Sequence, residues 1–228
     1  MKKHIPNTIT CCNLISGCIS TYFAFLSDYR MALLFIVIGA VFDFFDGMVA
    51  RLLNVSSPIG KELDSLADDI TFGFAPSAIV FSFLCSFHIH LFFIPFLAFI
   101  MAAFSALRLA KFNLDTRQAL GFIGLPTPAN ALFWGSLVLG QHAFLVSLKF
   151  NAVFLILFML LFCWLLVAEV PMLALKFKNL SWQDNKWRYI LLLGCLPCFL
   201  LGTSCFATII VWYILLSLAY NSVHSELR

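Results

Sequence analysis

DFFDGMVARLLNVSSPIGKELDSLADD, from Asp43 to Asp69, is the stretch of sequence that decides the fold. It holds six of the eleven Asp and Glu residues of the chain, and long apolar runs flank it on both sides. A charged side chain inside a bilayer is costly, and such residues usually serve a function. We therefore interpret this stretch as a membrane-boundary segment in which carboxylates are concentrated for chemistry.

The composition of the whole chain is that of an integral membrane protein. Of 228 residues, 62% are hydrophobic and 11% are charged, whereas soluble domains average about 25% charged residues. The net charge of +3 is small, and the basic residues are not interleaved with a polar aromatic surface, so no nucleic-acid partner is expected. The expected fold class is all-α: a polytopic bundle of transmembrane helices that forms one domain over 1–228.

Apolar runs of about 20 residues, the length that crosses the hydrocarbon core, predict about eight transmembrane helices. The first run, 5–27, is expected to stay uncleaved, and the second covers 31 to about 51. The other predicted spans are two within 70–107 that break near His88–His90, one within 118–148, one from 150 to about 175 with Glu169 inside it, and two within 189–225 that turn near 201–204.

The distribution of Lys and Arg predicts the orientation, because these residues accumulate in cytoplasmic loops. With a cytoplasmic N-terminus and eight crossings, twelve of the fourteen basic residues fall on the cytoplasmic side, against Arg30 and Lys149 on the other. Both termini and the acidic stretch are therefore expected at the cytoplasmic face, in a bacterial cytoplasmic (inner) membrane. His88, His90 and His142 fall on the opposite side, where we interpret them as interfacial residues.

Two polar stripes lie within the acidic stretch. At about 100° per residue, the first stripe occupies one face at the end of the second span and the second opens the third span. The stripes consist of Asp43, Asp46, Gly47 and Ala50, and of Gly60, Asp64 and Asp68. Asp69 lies about 100° around the helix from Asp68, so we expect it to be a supporting or surface residue.

Clustered carboxylates at a membrane boundary repel one another and lose hydration, and a divalent cation relieves both costs. Mg²⁺ and Mn²⁺ prefer hard oxygen ligands, and shared carboxylates are typical of two-metal phosphoryl-transfer sites. Arg51, one turn past Gly47, suits a phosphate group. Helix capping could account for Glu62 and Asp64, but not for acids at the C-terminal end of a helix. The pattern therefore predicts a metal site for a phosphate-bearing lipid.

The spacing D-x₂-D-G-x₂-A-R-x₈-G-x₃-D-x₃-D resembles the signature of the CDP-alcohol phosphatidyltransferases. Every fixed position is matched, from Asp43 to Asp68. Four further stretches are similar to the membrane-embedded phosphatidylserine synthases of bacteria: IPNTITCCNLISG, ADDITFGFAPS, RLAKFN and GLPTPAN. Phosphatidylglycerophosphate synthases usually carry an Arg where this chain has Asn13. The resemblance covers 1 to about 178, which implies a catalytic core there and two additional C-terminal spans within about 189–222.

The resemblance implies a transfer of the phosphatidyl group from CDP-diacylglycerol to L-serine, with two divalent ions, Mg²⁺ or Mn²⁺. It assigns Asp43, Asp46 and Asp64 to one ion, and Asp43, Asp64 and Asp68 to the other. It makes Asp68 the general base as well. The residues implied in substrate binding are Asn7, Thr8, Gly47, Ala50, Arg51, Ser57 and Gly60, of which Gly47 would let cytidine approach the backbone.

Basic and amide side chains at the end of the fourth span form a second candidate site. Arg108 and Lys111 lie one turn apart and suit a phosphate or the serine carboxylate, although they also suit simple anchoring at the interface. Asn113 follows them, and Lys111 stands where the family more commonly has Arg. Asn7 either bonds the nucleotide or caps the first helix. For Glu169 we favour a structural role, in which it bonds backbone groups that Pro171 leaves free.

Two alternatives to serine transfer stay open at this point. Within the same family, the acceptor alcohol could be glycerol 3-phosphate or inositol. In a different class, paired intramembrane acids also occur in divalent-cation transporters, although those usually place them near mid-membrane and in repeated halves. Besides its substrates and the lipid bilayer, a second copy of the chain in a homodimer is an expected partner.

Overall fold

The computed structural model describes residues 4–87, 92–115, 122–147, 151–173 and 181–225. Within these ranges the chain is helical apart from its turns and one antiparallel pair of two-residue strands. The prediction of an all-α architecture is therefore confirmed.

The first two helices form an antiparallel hairpin, α1 (His4–Phe25) and α2 (Tyr29–Leu52). The turn uses Ser27, whose φ of 59° lies in the left-handed region. Asp28 then caps α2, because its carboxylate accepts a hydrogen bond from the Met31 backbone N–H at 3.1 Å. The hairpin returns the last turns of α2, with their acids, to the first turns of α1.

The third span is a continuous helix made of three parts: α3 (Pro58–Asp68), a π-helical turn (Asp69–Phe74) and α4 (Ala75–Cys85). The Ser57 hydroxyl caps its start by accepting a hydrogen bond from the Gly60 N–H at 3.0 Å. Such π turns are frequent at functional sites. Here the π turn follows directly on the last acid of α3, a feature that the sequence pattern did not predict.

The π turn packs closely against the hairpin at two glycines. A Cβ atom at Gly17 would lie 2.7 Å from the Thr71 Cα, and one at Gly39 would overlap the Thr71 methyl group. The Thr71 hydroxyl donates to the Asn13 carbonyl at 2.9 Å. These contacts fix α1, α2 and the third span in register, which sets the relative positions of the acids on α2 and α3.

The middle of the chain surrounds the apolar core. A 3₁₀ segment (Ile94–Phe99) leads into α5 (Ile100–Leu114), and there follow β1 (Phe122–Ile123), α6 (Thr127–Gly140), α7 (His142–Ser147), α8 (Asn151–Val167) and β2 (Pro171–Met172). Trp134 and Phe133 of α6 are buried there, and the Phe133 ring stacks on that of Phe162 with centroids 4.1 Å apart. The two strands pair antiparallel with each other.

The last two helices, α9 (Trp182–Cys198) and α10 (Cys205–Ser225), form a second hairpin. The turn lies in the 3₁₀ segment between them, where Gly202 has a φ of 58°. The Trp187 ring meets that of Tyr220 at 5.9 Å between centroids. The predicted turn near 201–204 is therefore confirmed.

Within the described residues, five helical segments are long and apolar enough to cross a membrane: His4–Phe25, Tyr29–Leu52, Pro58–Cys85, Ile94–Leu114 and Asn185–Val223. The last of these contains the turn between α9 and α10, while α6 and α8 are shorter. The chain is thus an all-helical membrane protein. The count of eight spans and the cytoplasmic location of both termini stay predictions.

Two predicted spans have different bounds in the structure. The span expected to continue to about 175 ends at Val167, so the prediction that Glu169 lies inside a helix is wrong. Pro171 cannot continue the hydrogen-bonding pattern of a helix, and the Val170 carbonyl instead accepts from the Gly124 N–H at 2.9 Å. The helix expected within 118–148 likewise stops at Gly140, and α7 follows after a kink.

Of the three histidines predicted to be interfacial, His142 lies within the described residues. His88 and His90, with the break predicted there, lie outside the described residues. His142 begins α7 and lies beside Tyr29 and Phe83, with ring centroids 6.2 and 5.1 Å away. Tyr29 is the first residue of α2 and the acids are at the other end of that helix, so His142 is remote from them, as expected.

Candidate active site

The two acidic stripes converge where the end of α2 meets α3. Carboxylate oxygens of Asp43, Asp64 and Asp68 all lie within 4.8 Å of one another. These are the three residues that the resemblance assigns to the second ion. The convergence expected from the helical faces is therefore observed, and it follows from the close packing of the α1–α2 hairpin on the third span.

Asp46, the fourth acid, is hydrogen-bonded to α1 and is not among the three whose oxygens converge. The Thr10 hydroxyl donates to the Asp46 Oδ2 at 2.7 Å and also lies 3.1 Å from the Pro6 carbonyl. Because the hydroxyl has one proton, it can donate to only one of these acceptors at a time. Both side chains are buried, with 6% of Asp46 exposed. The hydrogen bond from Thr10 orients the Asp46 carboxylate next to the other acids.

Asp68 of α3 accepts a hydrogen bond from an amide side chain of α1. The Asn13 Nδ2 donates to the Asp68 Oδ1 at 3.0 Å, and Asn13 is completely buried. A hydrogen bond to an ionised acceptor is stronger than a neutral one. Asn13 therefore fixes the rotation of the carboxylate that the resemblance makes the general base.

The donor set fits divalent cations. The Asp64 Oδ1 is buried and has no hydrogen-bond partner among the described residues, which is costly unless another group satisfies it. Three half-buried carboxylates at this spacing also repel one another. Hard, anionic oxygen ligands of this kind suit Mg²⁺ or Mn²⁺. Asp43, Asp46, Asp64 and Asp68 are the residues that would hold such ions.

A cavity of about 260 Å³ opens beside the acids. Among its lining residues are Asp46 and Asp64 together with five of the predicted substrate-binding residues: Asn7, Gly47, Ala50, Ser57 and Gly60. A Cβ atom at Gly47 would have nothing within 4 Å, so this glycine faces open space. The cavity thus offers room for a ligand along the backbone of α2, next to the carboxylates.

Three predicted substrate-binding residues, Thr8, Arg51 and Asn113, line neither this cavity nor the second one described below. Thr8 is exposed, and its hydroxyl donates to the His4 carbonyl at 3.0 Å. The Arg51 side chain is exposed at the end of α2. The Asn113 side chain donates to the Ser65 hydroxyl at 2.8 Å, which joins α5 to α3. Their roles in binding substrate stay predictions.

Sequence reasoning assigned no role to Thr10, Asn13 or Lys61. Lys61 lines the cavity, and its ammonium group donates to the Asn113 carbonyl at 3.0 Å. The sequence does contain a pattern that could have indicated Thr10 and Asn13. Polar residues recur every three positions in the first half of α1, at Asn7, Thr10 and Asn13, which places them on one broad face of the helix. That face is the one buried against the acids.

A second cavity, of about 310 Å³, lies between the end of α5 and the end of α8. Arg108 and Lys111 line it on the α5 side, and Glu169 lines it on the α8 side. Arg108 is 7% exposed, and its Nε has no hydrogen-bond partner among the described residues. Arg108 also lies within electrostatic range of Asp68, so it connects the second cavity with the acids.

Asp69 points away from the other acids, as the helical-face argument predicted. It lies beside Ser105 of α5, next to Gly73, and it is not among the three acids whose oxygens converge. It therefore contributes to the packing of the π turn on α5.

The acids thus cluster where the α1–α2 hairpin meets the third span, with one cavity beside them and a second next to Arg108. The family model of the CDP-alcohol phosphatidyltransferases matches residues 3–221. The chain belongs to that family, and the resemblance found in the motif is confirmed.

Curated relatives share one printed name, CDP-diacylglycerol–serine O-phosphatidyltransferase. The protein of Bacillus subtilis (strain 168) is 40% identical over 130 residues, which cover 55% of this chain and 70% of that protein. The protein of Helicobacter pylori (strain ATCC 700392 / 26695) is 38% identical over 129 residues, 56% of this chain and 54% of that one. The protein of Methanocaldococcus jannaschii is 34% identical over 157 residues, 69% of each. The match thus spans only about half of the Helicobacter protein.

Proposed function

We propose that the chain transfers the phosphatidyl group of CDP-diacylglycerol to the hydroxyl of L-serine, which gives phosphatidylserine and CMP. The names of the relatives support serine as the acceptor, and membership of a transferase family argues against a cation transporter. The observation that carries the proposal is the convergence of Asp43, Asp64 and Asp68 next to a cavity lined by residues of the family motif.

The donor would occupy the first cavity with its cytidine along Gly47 and Ala50 and its diphosphate near the acids. Two ions held by the four carboxylates would neutralise the diphosphate and stabilise the negative charge that develops on it. Ser57 and Gly60, at the start of α3, and Asn7, at the start of α1, would form the rest of the nucleotide site. Arg51 and Thr8 would contact the lipid-bearing part of the donor outside the cavity.

Asp68 would accept the proton of the serine hydroxyl as its oxygen bonds to the phosphorus that carries the diacylglycerol. The phosphorus–oxygen bond to CMP breaks in the same displacement, and CMP leaves. A hydroxyl is a weak nucleophile until a positioned base takes its proton. Asn13 would keep the Asp68 carboxylate turned toward the hydroxyl.

Serine would enter from the second cavity. Asp68 lines neither cavity, but it lies in the same cluster as Asp64, which lines the first, and in electrostatic range of Arg108, which lines the second. Arg108 or Lys111 would bind the serine carboxylate. Asn113 would act indirectly, through its hydrogen bond to α3.

The reaction would take place at the cytoplasmic face of a bacterial cytoplasmic membrane. The bias of twelve basic residues against two supports this orientation. We further propose one domain over 1–228, with a catalytic core in about 1–178 and two added spans, and a homodimer as the functional assembly.

The proposal is tested by measuring CMP release from CDP-diacylglycerol by the purified chain in detergent or liposomes. The acceptors are serine, ethanolamine, inositol and glycerol 3-phosphate, each with Mg²⁺ or Mn²⁺. We expect fastest release with serine and poor release with ethanolamine, which lacks the carboxylate. Faster release with glycerol 3-phosphate or inositol would assign the chain to another branch of the family.

A further inference from the structure

The second cavity carries charges of both signs on two different walls. Arg108 and Lys111 belong to α5, whereas Glu169 belongs to the segment that follows α8. Asp115, the other acid of the lining, lies one helical turn after Lys111, and its backbone N–H donates to the Lys111 carbonyl at 3.0 Å. Glu169 is therefore the acid that faces the cavity from the wall opposite the two cations.

The segment that contains Glu169 is fixed by hydrogen bonds from two different parts of the fold. Its neighbour Val170 accepts a hydrogen bond from the Gly124 N–H at 2.9 Å, next to the β1–β2 pair. From α10, the Asn221 Nδ2 donates to the Pro171 carbonyl at 2.6 Å. A segment fixed in this way can present a side chain at a defined place, which a binding site requires.

One wall of the cavity also carries a buried guanidinium N–H, that of Arg108, without a hydrogen-bond acceptor among the described residues. Arg108 is more than nine-tenths buried, and its Nε has no partner among the described residues. A buried guanidinium N–H left without an acceptor is costly, and a ligand carboxylate is the acceptor that fits its planar fork. The volume of about 310 Å³ is at the small end of ligand pockets, which hold about 300–1,000 Å³.

We infer that Glu169 binds the ammonium group of the acceptor, so that the second cavity selects an amino acid zwitterion rather than any small alcohol. The inference rests on the proposed function, because it names the second contact of the same acceptor. With the carboxylate on Arg108 and the ammonium on Glu169, the hydroxyl of serine is the group left to approach Asp68.

The test compares two acceptors that differ only in the ammonium group, L-serine and 3-hydroxypropionate, by CMP release. Wild type is expected to favour serine by at least tenfold in kcat/KM. Glu169→Gln removes the charge at nearly constant size, and we expect it to raise the KM for serine about tenfold while the value for 3-hydroxypropionate is unchanged or falls. That change corresponds to about 1.4 kcal/mol. Asp115→Asn is the matched control and should affect both acceptors equally, because both carry a carboxylate.

The outcomes distinguish failure of this inference from failure of the proposed function. Equal losses for both acceptors in Glu169→Gln, or no loss for either, would overturn the role of Glu169 while serine transfer by wild type stands. If wild type released CMP faster with glycerol 3-phosphate than with serine, the proposed function and this inference would both fail. Glu169→Asp, which keeps the charge, should restore most of the preference, and an unchanged KM for CDP-diacylglycerol in both variants would show that the fold is intact.

Discussion

Removal of the Asn13 amide should slow the chemical step without preventing donor binding. Asn13 donates to the Asp68 Oδ1 at 3.0 Å from a completely buried position. Hydrogen bonds to charged groups contribute about 1.5–3 kcal/mol, and each 1.36 kcal/mol of barrier is a factor of ten in rate. If the bond holds Asp68 in its reactive rotamer, Asn13→Ala should lower kcat for serine by about 10- to 150-fold.

Asn13→Asp tests the same hydrogen bond by placing a second negative charge beside Asp68. It keeps the shape of the side chain but replaces the donor with a carboxylate next to Asp68. Since like charges at this separation repel strongly in a medium of low polarity, the loss in kcat should exceed that of Asn13→Ala. Added Mn²⁺ should recover part of it, because a cation screens the repulsion.

The assay is CMP release under saturating serine, together with binding of CDP-diacylglycerol and the thermal unfolding temperature of each variant. Ser16→Ala is the matched control: Ser16 is also buried on α1, but its hydroxyl donates to the Cys12 carbonyl at 2.8 Å and not to an acid. It should leave kcat almost unchanged. If Asn13→Ala kept its kcat within about threefold of wild type, or lost activity only in step with its stability, Asn13 would not be a positioning residue for Asp68.

Further substitutions test the remaining roles in the acid cluster. Excess chelator should abolish CMP release, and Asp43→Asn should weaken Mn²⁺ binding measured directly by titration as well as turnover; full activity in chelator would refute the metal site. Asp68→Asn should abolish transfer to serine while CDP-diacylglycerol still binds, and substantial turnover would remove it as the base. Asp69→Asn should be mild, because Asp69 faces Ser105 and not the cluster; a severe loss would contradict the helical-face assignment. Arg51→Lys keeps the charge but loses the planar fork, so the KM for CDP-diacylglycerol should rise with little change in kcat.

The acid cluster could be predicted from the sequence because its information is local. Asp43 and Asp46 share one face of α2, and Asp64 and Asp68 share one face of α3, by helical periodicity alone. Their convergence needs only that two consecutive helices meet, which a short connection enforces. The turn predicted near 201–204 is local in the same sense.

Features that depend on contacts distant in sequence were missed. The pairing of Asn13 with Asp68 joins residues 55 positions apart, and nothing in either segment alone specifies it. The end of α8 at Val167 was missed as well, because an apolar run signals burial in a membrane and does not show where backbone bonds leave the helix for a neighbour. Glu169 looked structural for the same reason: its place in the second cavity depends on the pairing of β1 with β2.

The arrangement of the two cavities also explains how one fold could serve different acceptors. The first cavity is built from α1 and from α2 and α3, the two helices that carry the family motif, whereas the second is built from α5, Ile123, the end of α8 and the segment after it. In-line phosphoryl transfer places the attacking and leaving groups on opposite sides of the phosphorus, and a separate acceptor cavity on the Arg108 side of Asp68 would suit that geometry. Substitutions on the second cavity should therefore change the KM of the acceptor and leave that of the donor unaltered. The identity of the acceptor would then depend on residues such as Arg108 and Glu169, which lie outside the motif.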